Sequence, residues 1–394
     1  MVSMDKLIKN GDLAGVQRAV QNDPALLNAT VTRWGASPLM YALHKNSGGQ
    51  PAIAQLLIER GAELDLQDND GWTALMFACR YDQPDTAQLL IERGAKLDLQ
   101  QKHGNTALMF ACQHDQPDMV QLLNENGANL DLQNNEGWTA LMFACKHDQP
   151  NTIHSLIGRG ANLDLQTNNG WTALMFACEM DQPNTVQLLI ERGAKLDLQD
   201  NEGRTALMFA CEKDQPNTVQ LLIERGTNLD LQTNNGWTAL MFACELDQPN
   251  TVELLIEGGA KLDLQTNDGW TALIFACEMV QPNTVQFLIE RGANLDLQTN
   301  DGWTALMLAC LASSESHHTA ADLLRLLKLF YLAGADLNLK NEDGDDALAL
   351  ATANACADVI AFLEFATMLE VARGLKGKLQ EPRSKTVEQL QVQM

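Results

Sequence analysis

Cysteine and aspartate are the two residue types in this chain whose regular spacing could support chemistry. Eight of the nine cysteines recur every 33 residues, and one aspartate recurs with the same period from Asp65 to Asp296. The periodic cysteines are Cys79, Cys112, Cys145, Cys178, Cys211, Cys244, Cys277 and Cys310. Thiols brought together could form disulfides or hold zinc, and carboxylates brought together could hold calcium.

A period of this length separates equivalent side chains when successive segments lie side by side. Packed helices stand about 8–10 Å apart, so equivalent residues in neighbouring segments are about as far from each other. A disulfide needs Cα atoms within about 4.4–6.8 Å, and calcium needs its oxygen ligands at about 2.3–2.6 Å. We therefore expect the cysteines to be buried thiols and the aspartates to make local hydrogen bonds in a turn.

Other motifs that could carry catalysis or bind a metal are weak. His317 and His318 are adjacent, but no third ligand is in view, so we expect a solvated loop there. The sequence contains no phosphate-binding glycine loop, His-Glu-x-x-His motif, Cys-x-x-Cys pair or nucleophile elbow. We expect a protein that is not an enzyme and binds no cofactor or metal.

The segment from Gly236 to Asp268 shows what one 33-residue copy is made of. Thr238 is a favoured N-cap and predicts a short apolar helix over 239–245. Pro249 suits the first turn of a second helix, which a glycine pair then ends. The turn-forming residues at 266–269 predict a projecting, hairpin-like turn. One such unit has too small a core to fold alone, so we expect the copies to stack.

This pattern resembles the ankyrin repeat family in its 33-residue length, its Thr-x-Leu-x-x-Ala core and its Leu-Leu-x-x-x-Gly-Ala step. The resemblance implies an all-α fold, an ankyrin-repeat solenoid of helix-turn-helix units with projecting hairpin-like turns, with about ten repeats plus caps. Two features depart from the family pattern. Thr-Ala-Leu-Met, as at 73–76, replaces Thr-Pro-Leu-His, and Asp82 and its equivalents replace a glycine between the helices. Aspartate tolerates the left-handed conformation that such a turn needs.

Changes in the repeat pattern divide the chain into four parts. We expect a capping helix pair at 1–33 and the repeat array at 34–342, with an insertion near 312–321. A degenerate C-terminal capping repeat should follow at 343–375. The polar sequence at 376–394 predicts a mobile tail.

The positions at which the copies differ indicate where a partner would bind. In arrays that resemble this one, the hairpin tip, the residue after the hairpin glycine and the end of the first helix line the concave face. The candidate partner-binding residues at these positions are Trp72, Tyr81, His114, Trp138, His147, Trp171, Met180, Lys213, Trp237, Leu246, Trp270, Met279 and Trp303. Tryptophan is a favoured interface anchor. The alternative is that each tryptophan packs on its own hairpin.

The charge of the chain bounds the class of partner. The formal net charge is −24, which disfavours binding to nucleic acids or anionic membranes and favours a basic or apolar protein segment. No 18-residue apolar run or signal peptide is visible, and reduced cysteines indicate a cytosol-like compartment. We expect a cytoplasmic monomer.

The sequence as a whole predicts a non-catalytic scaffold for protein–protein interaction. Its near-identical copies also resemble the arrays of bacterial effectors, which would imply delivery into the cytosol of a host cell. The alternative is an enzyme or enzyme inhibitor that acts through the 312–321 insertion or through the C-terminal region at 345–394.

Overall fold

The computed structural model describes residues 3–311, 320–353 and 357–376. The predicted histidine pair, most of the predicted insertion and the predicted tail after residue 376 lie outside these ranges. In the described ranges the chain is helical, with no β-strand and one isolated bridge between Gln298 and Thr304. The predicted all-α class is confirmed.

The chain divides into two compact units, Met1–Asn201 and Glu202–Met394. In the first unit the helices are α1 (Met4–Lys9), α2 (Leu13–Asn22), α3 (Pro38–Leu43), α4 (Pro51–Glu59), α5 (Ala74–Arg80), α6 (Pro84–Glu92), α7 (Ala107–Gln113), α8 (Pro117–Glu125), α9 (Ala140–Lys146), α10 (Pro150–Gly158), α11 (Ala173–Glu179) and α12 (Pro183–Glu191). Short 3-10 turns lie at Pro24–Leu27 and Lys45–Ser47.

The second unit continues the alternation of short and slightly longer helices. Its helices are α13 (Ala206–Glu212), α14 (Pro216–Glu224), α15 (Ala239–Glu245), α16 (Pro249–Glu257), α17 (Ala272–Glu278), α18 (Pro282–Glu290), α19 (Ala305–Leu311), α20 (Ala320–Ala333), α21 (Ala347–Ala353) and α22 (Ala357–Lys376). Because α20 begins at Ala320, the last two residues of the predicted 312–321 loop are helical instead. The predicted division into caps, array and tail stays a prediction.

Local sequence explains where each helix begins. The Thr238 hydroxyl accepts the backbone N–H of Met241 at 3.3 Å, so α15 starts at Ala239 as predicted. Pro249 is the first residue of α16, where its missing N–H is not needed. The same two devices recur at Thr73 and Pro84, which precede and open α5 and α6 respectively.

The turn between the two helices of a repeat holds a residue in the left-handed region. Asp82 and Asp247 both have φ of 51°, which confirms that aspartate adopts this conformation. Val280 occupies the equivalent place with φ of 48°. A β-branched residue rarely adopts this conformation, so Val280 is a strained position. Its side chain is buried, unlike the exposed aspartates.

Stacking of equivalent helices forms the core of each unit. In the first unit α5 packs on α7 and α7 on α9, and in the second α15 packs on α17 and α17 on α19. The periodic cysteines lie fully inside these stacks, and no disulfide joins them. Burial raises the pKa of the Cys79 thiol far above its usual value, so the thiol stays protonated. Their predicted burial is confirmed.

Candidate interaction surface

The hairpin-like turns are held together by close backbone contacts between neighbouring repeats. Gly137 has φ of 80°, and a Cβ atom there would lie 2.7 Å from the backbone nitrogen of Asn168 in the next turn. Only glycine fits both constraints. The backbone N–H of Asn168 donates to the carbonyl of Glu136 at 2.9 Å, which fixes the position of the next turn relative to this one.

Side-chain amides add a second layer of bonds between these turns. The Gln133 amide nitrogen donates to the carbonyls of Gly137 and Gln166, both at 2.8 Å. The Asn168 amide nitrogen donates to the Asn135 carbonyl at 2.8 Å. We did not predict these roles from the sequence, although both amide residues recur at the 33-residue period. These hydrogen bonds hold the turns in place and thereby position the residues that follow them in the sequence.

The periodic aspartates also bond between repeats. The Asp131 carboxylate accepts the backbone N–H of Asn162 at 2.8 Å, and Asp98 accepts that of Asn129 at 2.9 Å. The prediction that these aspartates form hydrogen bonds within their own turn is therefore wrong, because each carboxylate accepts a backbone N–H of the next repeat. The described residues contain no group of three or more His, Cys, Asp and Glu side chains suited to a metal ion.

Three tryptophans, Trp72, Trp138 and Trp237, are each half-buried between two phenylalanines. The centroid of the Trp138 ring lies 4.9 Å from that of Phe143 in its own repeat and 4.5 Å from that of Phe176 in the next. Trp237 lies 5.1 Å from Phe242 and 4.4 Å from its counterpart in the next repeat, Phe275. The indoles thus pack across the boundary between repeats and are not confined to their own hairpins. Partner contact through their exposed edges stays a prediction.

Other packing replaces the indole where the series is interrupted. Asn105 accepts a hydrogen bond of 2.7 Å from the Asn134 side chain of the next repeat. The Arg204 guanidinium lies 4.6 Å from the centroid of the Phe209 ring and 3.1 Å from the carboxylate of Glu202. At both positions the side chain contacts a neighbouring residue although no indole is present.

The ends of the first helices lie beside the tryptophans. The Arg80 guanidinium carbon is 5.0 Å from the centroid of Trp72, and the Lys146 ammonium is 4.8 Å from that of Trp138. Tyr81 is half-buried and stacks on the Phe77 ring. The remaining candidates at this position are exposed: His114, His147, Met180, Lys213, Leu246 and Met279.

His114 in the first unit and Glu245 in the second lie in opposite electrostatic environments. In the first, partial burial and the nearby charges of Arg80 and His147 lower the pKa of His114. In the second, partial burial and the Glu212 carboxylate raise the pKa of Glu245. A second negative charge near Glu245 disfavours its ionisation, so this part of the surface would gain from a cation.

The candidate surface belongs to a chain that matches one known family over most of its length. The sequence profile described as ankyrin repeats (3 copies) matches residues 6–101, 39–134, 108–200, 142–233, 193–266, 210–299 and 247–325. A search of curated proteins found no match. Within the described part of the chain, no helix has the length and apolar character needed to cross a membrane.

A solved structure described as the ankyrin repeat domain of Bcl-3, a member of the IkappaB protein family, is similar to this chain. The two are 31% identical with a TM-score of 0.50, and the match covers 58% of this chain and 99% of the other. Ankyrin repeats generally mediate protein–protein interaction and are typically non-catalytic. The chain belongs to the ankyrin repeat family.

Proposed function

We propose that the chain is a non-catalytic scaffold that binds a protein segment with both basic and apolar side chains. The observation that carries this proposal is the pairing of an acidic and an exposed apolar residue at the ends of first helices. In the second unit, Glu245 precedes Leu246 and Glu278 precedes Met279, whose side chains are 45% and 40% exposed. Single exposed apolar side chains are common on protein surfaces, but their recurrence at equivalent positions of successive repeats indicates a binding surface.

The partner's charge follows from the electrostatics of the same positions. Partial burial and, after it, the Glu212 carboxylate raise the pKa of Glu245, so the two carboxylates repel each other when both are ionised. A lysine or arginine between them would relieve that repulsion. Nucleic acids and anionic membranes are negatively charged, as this chain is, so its net charge of −24 disfavours binding to either.

Selection from a random peptide library displayed on phage tests this proposal without knowledge of the natural partner. We expect peptides selected on the full chain to be enriched in lysine or arginine together with leucine, methionine or aromatic residues. Enrichment of acidic peptides, or selected peptides that bind equally well after Leu246→Ser with Met279→Ser, would contradict it. Glu253→Lys, on the exposed side of α16, is a control variant that should leave binding unchanged.

We also propose an effector role, because the near-identical copies resemble those of bacterial effectors. The buried, protonated thiols are compatible with a reducing compartment such as the cytosol of a host cell. A translocation reporter fused to the chain would show entry into host cells if this is correct. Retention of the reporter in the bacterium would contradict it.

The alternative function, an enzyme or enzyme inhibitor acting through the C-terminal region, has one observation in its favour. Phe365 and Met368 on α22 are 60% and 70% exposed, so this helix presents apolar side chains away from the repeats. If the alternative holds, Phe365→Ser with Met368→Ser should abolish an effect on a bound target while leaving peptide binding intact. Unchanged activity in that variant would exclude these two residues.

A further inference from the structure

A cavity of about 350 Å³ lies between two successive hairpin turns of the first unit. Its lining includes Trp138, Trp171, Phe176, Glu136 and the turn at 167–169. Three aromatic residues and one glutamate therefore line a single space. We call this set of residues the 138/171 pocket.

The rings of the pocket are fixed by packing. The Phe176 centroid lies 4.5 Å from that of Trp138 at an interplanar angle of 35°, and 4.9 Å from that of Trp171 at 43°. The backbone N–H of Trp171 donates to the Thr167 hydroxyl at 3.0 Å, which holds the second indole above its turn. Both indoles are half-buried, so part of each ring stays open to a ligand.

The electrostatics of this arrangement favour a cation. The faces of indole and phenyl rings carry negative partial charge and attract ammonium groups. Glu136 is exposed, and among the described residues no Lys, Arg or His side chain forms an ion pair with its carboxylate. The Trp138 indole already has one ammonium beside it, since the Lys146 ammonium lies 4.8 Å from its centroid, although Lys146 does not line the cavity.

The complete set occurs once in the sequence, which distinguishes it from the general repeat pattern. Trp237, Trp270 and Phe275 repeat the three rings 99 residues later, but Asn235 replaces the glutamate. Trp270 and Trp303 follow an aspartate at 268, but Leu308 replaces the phenylalanine. The 237/270 site is therefore a natural control that has the rings without the charge.

We propose that the 138/171 pocket binds an alkylammonium group, as carried by a lysine side chain of the partner. A compact ammonium can lie against the ring faces while one of its protons points to the Glu136 carboxylate. The inference rests on the proposed function, because the pocket lies among the predicted partner-binding residues. Beyond that function, the inference names the chemical group of the partner that binds and the residues that bind it.

Indole N–H signals in NMR spectra of the full chain test the proposal with small probes. The probe is n-butylammonium, and n-butanol is its neutral counterpart, both titrated at constant ionic strength. The chain has seven tryptophans, and single Trp→Phe variants assign their signals. We expect n-butylammonium to shift the Trp138 and Trp171 signals saturably and n-butanol to leave them nearly unchanged. Equal shifts with both probes would overturn the proposal.

Two substitutions move the charge without changing the rings. Glu136→Gln should weaken n-butylammonium binding by about threefold or more, and Asn235→Glu should create the response at Trp237 and Trp270. Binding unaffected by Glu136→Gln would overturn the proposal. If the probes fail while selected peptides still contain basic residues, the pocket is wrong and the proposed function stands. If neither binds, the proposed function fails as well.

Discussion

The amide nitrogen of Asn124 donates a hydrogen bond of 3.1 Å to the hydroxyl of Ser155, across the boundary between α8 and α10. Isoleucine and leucine occupy these places in most other repeats, as at Ile91 and Leu89. Asn124 is 6% exposed, and its Oδ1 atom has no hydrogen-bond partner within the described structure. A polar pair therefore interrupts an apolar interface, with one buried acceptor left unpaired.

Restoring the apolar pair should stabilise the first unit. We expect Asn124→Ile combined with Ser155→Leu to raise the free energy of unfolding by about 1–2 kcal/mol, because an unpaired buried polar atom is removed. Ser155→Leu alone should lower it by about 1–3 kcal/mol, since the Asn124 amide nitrogen then loses its acceptor. Urea denaturation followed by circular dichroism measures both. If the separate effects of Asn124→Ile and Ser155→Leu on the free energy of unfolding add up to the effect of the double variant, this explanation is contradicted.

The left-handed turn residue should rank substitutions by their tolerance of positive φ. At Asp247, where φ is 51°, glycine should equal or exceed aspartate in stability, and alanine should be lower. Valine should be lowest, by about 1–2 kcal/mol relative to glycine. The midpoint of urea denaturation gives the order. A valine variant as stable as the glycine variant would show that Val280 carries no strain.

Removal of a stacked indole should destabilise the chain as well as any complex. Trp138 stacks on two phenylalanines, and each aromatic pair contributes about 0.5–1.5 kcal/mol beyond its buried area. We therefore expect Trp138→Ala to lower the free energy of unfolding by about 1–3 kcal/mol. Trp303→Ala is the matched control, because Leu308 follows Trp303 in place of a phenylalanine. Equal losses at both positions would argue against aromatic stacking as the cause.

His114, which lies near Arg80, should make the stability of the fold depend on pH. Partial burial, then Arg80, lower the pKa of His114 below its ordinary value of about 6.5, so the folded chain binds this proton more weakly than the unfolded chain. The stability that His114 contributes is present above its unfolded pKa and is lost as pH falls through its folded pKa. His114→Gln should therefore reduce the loss of stability between neutral and mildly acidic pH.

An NMR titration of the His114 ring measures its pKa directly. Arg80→Gln should raise that pKa, because one of the two nearby positive charges is removed. A pKa of His114 unchanged by this substitution would show that Arg80 does not contribute to the shift.

Local sequence signals predicted the helices well, because caps and breakers act within a few residues. Thr238 and Pro249 placed the starts of α15 and α16 correctly. Contacts between repeats could not be predicted in the same way, since they depend on the register of stacked copies. The sequence shows that Asp131 recurs, but not that its carboxylate bonds to the next repeat.

The same limit applies to the candidate surface. The sequence identified Trp138 as a candidate partner-binding residue, but not its stacking on Phe176 or the Lys146 ammonium beside its indole. Gln149 was also missed. Its amide nitrogen donates to the carbonyl of Cys112 in the preceding repeat, and the residue is buried. A polar residue at a constant position in every repeat is the signal that could have indicated such a bond.

Reversal of charge at the helix ends tests the central claim most directly. The measurement is the affinity of a selected basic peptide for the full chain and for Glu212→Lys with Glu245→Lys, determined by fluorescence anisotropy. The account predicts a loss of at least about tenfold, near 1.4 kcal/mol, while the control Glu253→Lys on α16 retains the original affinity. Unchanged affinity in the double variant, or an equal loss in the control, would contradict the claim that these acidic positions bind the partner.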